Sequence, residues 1–274
     1  MPELPEVETV RAGLAPWLEG AKIKDVQIFQ NKLRYDIPEN FAKSLIGARI
    51  HHIRRRAKYL VFDFMSRGFI IHLGMSGSMR RIDTGEELRK HDHILFITDK
   101  AHVVYNDPRR FGAVDLWQDD FNAHKWLADI GPEPLGNAFN ADILAEGLAK
   151  RSTPIKPTLL DQKLIAGIGN IYASEALWRA KIGPERASNT LKNKEIEALV
   201  ISIRNVLQDA IASGGSTLKD HRQTNGELGY FQHKFDVYDR EGEPCHANRC
   251  KATIEKIVQS TRATYFCPNC QKPK

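Results

Sequence analysis

At 274 residues the chain is long enough for two domains of ordinary size, and its 42% hydrophobic and 27% charged content is that of a soluble globular protein. It has no apolar run of membrane-spanning length and no signal peptide, which excludes a membrane protein and places it in the cytoplasm. The net charge is +6 with a pI near 9.1; acids and bases balance over residues 1–150, so the excess falls in residues 151–274, and such asymmetry points to a polyanion partner, though an ordinary solvated surface also produces it.

The chain begins Met1-Pro2-Glu3-Leu4-Pro5-Glu6-Val7-Glu8. Removal of Met1 leaves Pro2 as a secondary amine with a reference pKa of roughly 8, partly unprotonated at neutral pH and able to attack an electrophilic carbon as a Schiff-base nucleophile. Glu3 lies beside it and is placed to move protons. The plainer reading is an acidic helix start, with Pro5 in the first turn and Glu6 and Glu8 near the positive end of the dipole. The two readings are compatible, because a helix from Pro5 to about Leu18, with Val7, Val10, Leu14 and Leu18 on one face, would anchor the amine.

Residues 23–117 read as β: seven short segments at 23–29, 50–56, 59–64, 69–73, 94–98, 102–105 and 113–117, rich in β-branched and aromatic residues and divided by turns. That count predicts a sandwich or barrel with the terminal helix beside it. Arg54-Arg55-Arg56-Ala57-Lys58 is either a solvated strand edge or a phosphate strip with Lys58 turned inward. His72-Leu73-Gly74-Met75-Ser76-Gly77 is a tight turn with Met75 at its tip, and methionine is most often core filler. Asn106-Asp107-Pro108-Arg109-Arg110-Phe111-Gly112 is a turn that exposes Arg and Phe together. Read jointly, Met75, Arg109 and Phe111 have the character of a wedge that enters a duplex while a base is extruded; their spacing alone does not establish it. His91, in His91-Asp92-His93, is a further candidate, although an isolated H-x-H is more often structural.

Gly131-Pro132-Glu133-Pro134-Leu135-Gly136 is a breaker and the expected linker, after which the periodicity becomes helical. Helices are predicted over 141–150, from Lys156-Pro157, from Gly167-Ile168-Gly169-Asn170 to about Ala180, and over 195–211. Glycines and Asn170 at a helix start expose N–H groups to an anion, a weak signal that Lys156 strengthens. The polar stretch 216–231 is the expected functional loop. The tail carries Cys245-x4-Cys250-x16-Cys267-x2-Cys270, two short-spaced pairs separated by hairpin length, which is a strong signal for one structural zinc over free thiols or disulfides. The four-residue first loop should aim fewer backbone N–H groups at its sulfurs than the second, and His246 is a competing ligand. Strands are expected near 252–258 and 262–266.

The Pro2–Thr9 stretch PELPEVET, with the later motifs in type, order and spacing, resembles the bacterial formamidopyrimidine-DNA glycosylases, repair enzymes for oxidised guanine, over essentially the whole chain. The family's usual first cysteine pair has two intervening residues where this chain has four. The resemblance implies an α+β architecture: an N-terminal β-sandwich with a terminal helix over 1–130, a linker at 131–136, a helix-two-turn-helix DNA-binding domain over 137–235, and a zinc-finger hairpin over 236–274, with duplex DNA carrying oxidised bases in the cleft between. It implies a monomer that associates with the nucleoid when bound. It assigns Pro2 as nucleophile, Glu3 as proton donor and acceptor, Lys58 as proton donor in β-elimination, and Arg262 as the phosphate contact of the second elimination. Met75, Arg109 and Phe111 would fill the gap left by the flipped nucleotide, and His91, Arg151, Lys156 and Asn170 would bind DNA. The 216–231 loop would cover the everted base. Two rivals remain: an endonuclease VIII-type enzyme for oxidised pyrimidines, which the Leu-Pro-Glu-Val-Glu continuation and the wedge residues disfavour, and a non-catalytic zinc protein that binds damaged DNA, which only Pro2-Glu3 with Lys58 opposes.

Overall fold

The computed structural model describes residues 2–216 and 231–272, in two compact units: 2–128 with 213–216 and 231–232, and 129–212 with 233–272. Among the described residues no helix is long and apolar enough to cross a membrane.

In the first unit α1 (Leu4–Leu18) starts where the sequence places a proline, with Glu3 as an extended N-cap. The Glu6 carboxylate turns back to accept the Glu3 N–H at 2.9 Å, satisfying one of the donors that every helix start leaves open. The strands β1 (Ile23–Ile28), β2 (His52–Arg56), β3 (Tyr59–Asp63), β4 (Arg67–His72), β5 (Ser78–Ile82), β6 (Asp92–Thr98), β7 (His102–Asn106) and β8 (Ala113–Gln118) form two antiparallel four-stranded sheets, ordered β1-β6-β7-β5 and β2-β3-β4-β8. Phe62 and Phe69 stack at 4.2 Å in one sheet, and Phe69 stacks on Phe96 of the other at 5.4 Å, so the sheets share one core, into which α1 sends Val7, Val10 and Leu14. Each such side chain contributes about 2 kcal/mol of burial.

Two elements of this unit escape the periodicity: the short helix α2 (Phe41–Leu45) and strand β5. The sequence of β5, Ser-Met-Arg-Arg-Ile, alternates poorly, because Arg80 is drawn to a partner: its guanidinium pairs with Asp92 at 2.6 Å and Glu86 at 3.2 Å. The basic run at 54–56 is likewise engaged inside the unit, Arg54 with Asp63 and Arg55 with Glu8.

In the second unit the linker is tied down by Arg204, which donates to the carbonyls of Pro134, Gly136 and Phe139. Helices α3 (Ala141–Ala149), α4 (Ile155–Leu159), α5 (Asn170–Arg179) and α6 (Asn193–Ala212) follow, the last burying Ile196, Leu199, Val200, Ile203, Val206 and Leu207 on one face. The antiparallel hairpin β9 (Glu255–Gln259) and β10 (Arg262–Phe266) completes it.

Candidate functional site

The first unit buries an acid at the chain start and a lysine at the β2–β3 turn. Pro2 is buried, and Glu3 is 3% exposed at the mouth of α1. Glu6 holds this turn from behind: one oxygen accepts the Glu3 N–H, and the other accepts both the N–H and the hydroxyl of Ser216 at 2.8 Å each. Gly215, with φ +77°, lets that strand of backbone lie against Glu6. Composition gives no hint of this tether, which joins residues 210 positions apart. Residues 217–230, the body of the expected lid, lie outside the described residues.

Arg55 bridges the Glu8 carboxylate of α1 (3.1 Å) and the Ala57 carbonyl (3.1 Å), fixing the two-residue turn that carries Lys58. Lys58 is buried at this hairpin tip, and Ala57 adopts φ 51° to make it. The turn lies close enough to His72 to affect its charge: burial first, then the Lys58 and Arg34 cations, lower the imidazole to about 4. His72 Nδ1 accepts the Gly74 N–H at 3.0 Å, which requires that nitrogen to be unprotonated, so the ring is neutral with hydrogen on Nε2. Lys58 and Arg34 thus place two cations near a neutral imidazole. Neither Arg34 nor His72 is singled out by spacing.

The two turns flagged in the sequence lie side by side. Met75 is 38% and Phe111 45% exposed, large apolar side chains presented to solvent, and the Arg109 guanidinium sits 5.0 Å from the Phe111 ring centre. His91 adopts φ 72° next to them, and its carbonyl accepts the Asp107 N–H.

The second unit brings together Lys156, Asn170 and the strand that carries Arg262. Lys156 is completely buried; its ammonium donates to the Asn170 side-chain oxygen and to the Ala263 carbonyl, which also accepts from Asn170 Nδ2 at 2.9 Å. Arg262, next to Ala263, is exposed at the start of β10. Gln162 knits the loop before α5, donating to the Leu160 and Ile168 carbonyls and accepting the Gly167 N–H. Arg151 is half-buried and paired with Asp161 at 2.7 Å. Glu175, fully buried on α5, accepts the N–H groups of Asp236, Val237 and Tyr238 and so fixes the chain that enters the hairpin. Burial raises this carboxyl to about 7 while those three donors pull it back.

All four cysteine sulfurs lie within 4.8 Å of one another. Cys250 and Cys267 are 3.7 Å apart and Cys245 and Cys270 3.9 Å apart, far beyond a disulfide bond and close to the edge of about 3.8 Å that a tetrahedron with zinc–sulfur bonds of about 2.3 Å demands. The residues fit zinc, with no position left open for water. His246 turns instead to Asp236 at 3.3 Å and is outside the cluster. Within the first loop only the Ala247 N–H points at a sulfur, that of Cys245; the Ala252 N–H beyond the loop and then the Asn269 side-chain amide hold the Cys250 thiol down at about 6. The shorter second loop aims two backbone donors at Cys267, the Cys270 and Asn269 N–H groups, as its spacing leads one to expect.

Three family models match in succession: the formamidopyrimidine-DNA glycosylase N-terminal domain over residues 1–114, the formamidopyrimidine-DNA glycosylase H2TH domain over 130–222, and the zinc finger found in FPG and IleRS over 242–273. The formamidopyrimidine-DNA glycosylase of Azorhizobium caulinodans is 51% identical, covering 99% of this chain and all of that one. Among solved structures, a Lactococcus lactis FPG mutant in complex with Fapy-dG-containing DNA superposes with a TM-score of 0.91 at 39% identity, covering 99% of this chain and all of that one. The Lactococcus lactis Fpg complex with abasic-site DNA gives 0.91 at 39% identity, covering 98% and 99%.

Proposed function

The chain belongs to the formamidopyrimidine-DNA glycosylase family, and on that premise we propose how its residues carry out the chemistry. It is a DNA glycosylase that removes oxidised purines, 8-oxoguanine and formamidopyrimidines, from duplex DNA in base excision repair, and it cleaves the strand as an abasic-site lyase. One structural zinc is held by Cys245, Cys250, Cys267 and Cys270. With Met1 removed, the Pro2 nitrogen attacks C1′ of the damaged nucleotide; the C1′–N bond breaks and the base leaves with a proton. Loss of the Pro2 N–H proton leaves an N,O-acetal at C1′; protonation of O4′ and breakage of the C1′–O4′ bond then open the sugar ring to the iminium, which acidifies C2′–H. Abstraction of that proton expels the 3′ phosphate, and a second abstraction at C4′ expels the 5′ phosphate. Glu3 donates and accepts these protons at the sugar, Lys58 donates in the β-elimination, and Arg262 bears on the phosphate that departs last.

The observation that carries this reading is the buried Pro2-Glu3 pair, its backbone fixed by Glu6. Met75, Arg109 and Phe111 fill the space of the extruded base, and their exposure supports it. His91, Arg151, Lys156 and Asn170 serve DNA binding. We place the protein in the cytoplasm, on the nucleoid when bound. Incubation with an 8-oxoguanine duplex and borohydride should trap a protein–DNA adduct at residue 2. An adduct at Lys58, or full activity in protein that keeps Met1, would overturn the assignment.

A further inference from the structure

Behind the exposed Met75, Arg109 and Phe111 lies a buried polar hub. Asp107 is 0% exposed and Ser76 4%. The Ser76 hydroxyl donates to Asp107 Oδ1 at 2.7 Å and accepts the Arg109 N–H at 3.2 Å. Asp107 Oδ2 accepts the Gly112 N–H at 2.8 Å and the Tyr105 hydroxyl at 3.3 Å, and the Asp107 carbonyl accepts His93 Nε2–H at 2.8 Å. Ser76 sits between Met75 and Gly77 in one turn, whereas Asp107 opens the other, so the Ser76 hydroxyl joins them twice, through the Asp107 carboxylate and the Arg109 N–H.

The backbones are pressed together at the same place. A Cβ on Gly74 would stand 2.4 Å from Gly112 N and Phe111 C, and one on Gly112 would stand 1.8 Å from the Tyr105 hydroxyl. The turns therefore touch backbone to backbone at Gly74 and Gly112, and the Ser76 hydroxyl adds the polar link between them. A buried hydroxyl bonded on both sides is costly to remove, because its former partners then lack a donor and an acceptor. Burial, and then the adjacent carboxylate, holds the Tyr105 phenol well above its ordinary range, so it remains a donor.

We infer that Asp107 and Ser76 are positioning residues that lock the Met75 turn to the Arg109–Phe111 turn, so that the three side chains enter a duplex as one rigid wedge. The inference rests on the glycosylase reading and adds to it a cause for the wedge's rigidity. Its signature is substrate-dependent. Displacing a stacked base needs the apolar tip and the guanidinium in fixed register, because unstacking must be offset by contacts made together. A pre-formed abasic site has no base to displace, so its cleavage relies on Pro2 and Glu3 far more than on the wedge.

The test is single-turnover cleavage of an 8-oxoguanine duplex and of the same duplex with a pre-formed abasic site. Ser76→Ala should lose about tenfold on the oxidised base, from one doubly used hydrogen-bonding group, and about twofold or less on the abasic site. Asp107→Asn, which opposes donor to donor, should lose about a hundredfold on the oxidised base with the same asymmetry. Ser76→Thr, which keeps the hydroxyl, should recover most of the Ser76→Ala loss. Equal losses on both substrates, no loss on either, or Ser76→Thr as impaired as Ser76→Ala would overturn the coupling while leaving the glycosylase reading intact. Wild-type protein that releases no oxidised purine would overturn that reading, and the coupling with it.

Discussion

The two units present functional residues in opposite ways. In the sandwich unit the groups proposed to enter DNA, Met75, Arg109 and Phe111, are exposed, and the groups that hold them, Asp107 and Ser76, are buried behind. In the helical unit the cation proposed to serve DNA binding, Lys156, is itself buried and does the holding, gripping Asn170 and the strand beside the exposed Arg262. A charged side chain with no exposure and protein partners already in place is first a strut, and its loss is felt through what it supports. Substitution should therefore look like a folding defect in one unit and a recognition defect in the other.

The largest effect should come from the metal. Structural zinc in small fingers contributes roughly 10 kcal/mol or more to folding, so chelation should unfold the hairpin and abolish DNA binding. Amide-exchange protection in β2–β4 should persist, since the sandwich core is separate from the cluster. Purified protein should hold one zinc, lost in Cys267→Ser and kept in His246→Ala; metal loss in His246→Ala with retention in Cys245→Ser would break the ligand set.

Next comes Lys156→Ala. It removes a buried ammonium from the Asn170 and Ala263 oxygens and leaves a cavity, which should cost about 3 kcal/mol and show as a lower melting temperature for the second unit. Affinity should fall for all duplexes alike. A salt slope reduced by about one phosphate contact with an unchanged melting temperature would show the opposite, a lysine that is only a phosphate grip.

A smaller effect is set by pH at His72. Its folded pKa of about 4 lies below the ordinary 6.5, so its contribution is fully present above pH 6.5 and is lost as pH falls through 4. The ceiling is on the order of 3 kcal/mol. Protonation also breaks the bond from Gly74 and loosens the Met75 turn. Urea titrations between pH 7 and pH 4 should show a steeper loss in wild type than in His72→Asn; parallel curves would remove His72 from the account.

The smallest stability change belongs to the wedge tip. Phe111→Ala and Met75→Ala remove partly exposed side chains and should shift stability by about 0.5 kcal/mol or less, while discrimination of lesion from undamaged duplex falls and the salt slope stays fixed. A salt slope that moves as it does in a phosphate-contact variant would erase the contrast between the units.

Much of this was open to reading in the chain itself. The cysteine pairs are a local pattern whose chemistry follows from residue type and spacing, Pro2-Glu3 is one whose proposed chemistry the family resemblance singles out, and the sandwich strands and α6 announce themselves because period-two and 3.6-residue repeats are imposed by burying one face. Strand β5 was not legible, since its arginines are tolerated only through partners elsewhere, Asp92 above all. Nor were Glu6 with Ser216, Lys58 with His72, or Ser76 with Asp107, pairs separated by tens to hundreds of residues. A hydrogen bond leaves no periodic trace in sequence; it exists only when folding carries donor and acceptor to within about 3 Å in a place that water has left. The sequence by itself thus determined the elements and pointed to the groups proposed to react, whereas tertiary structure alone decided which buried polar residues hold those groups in place.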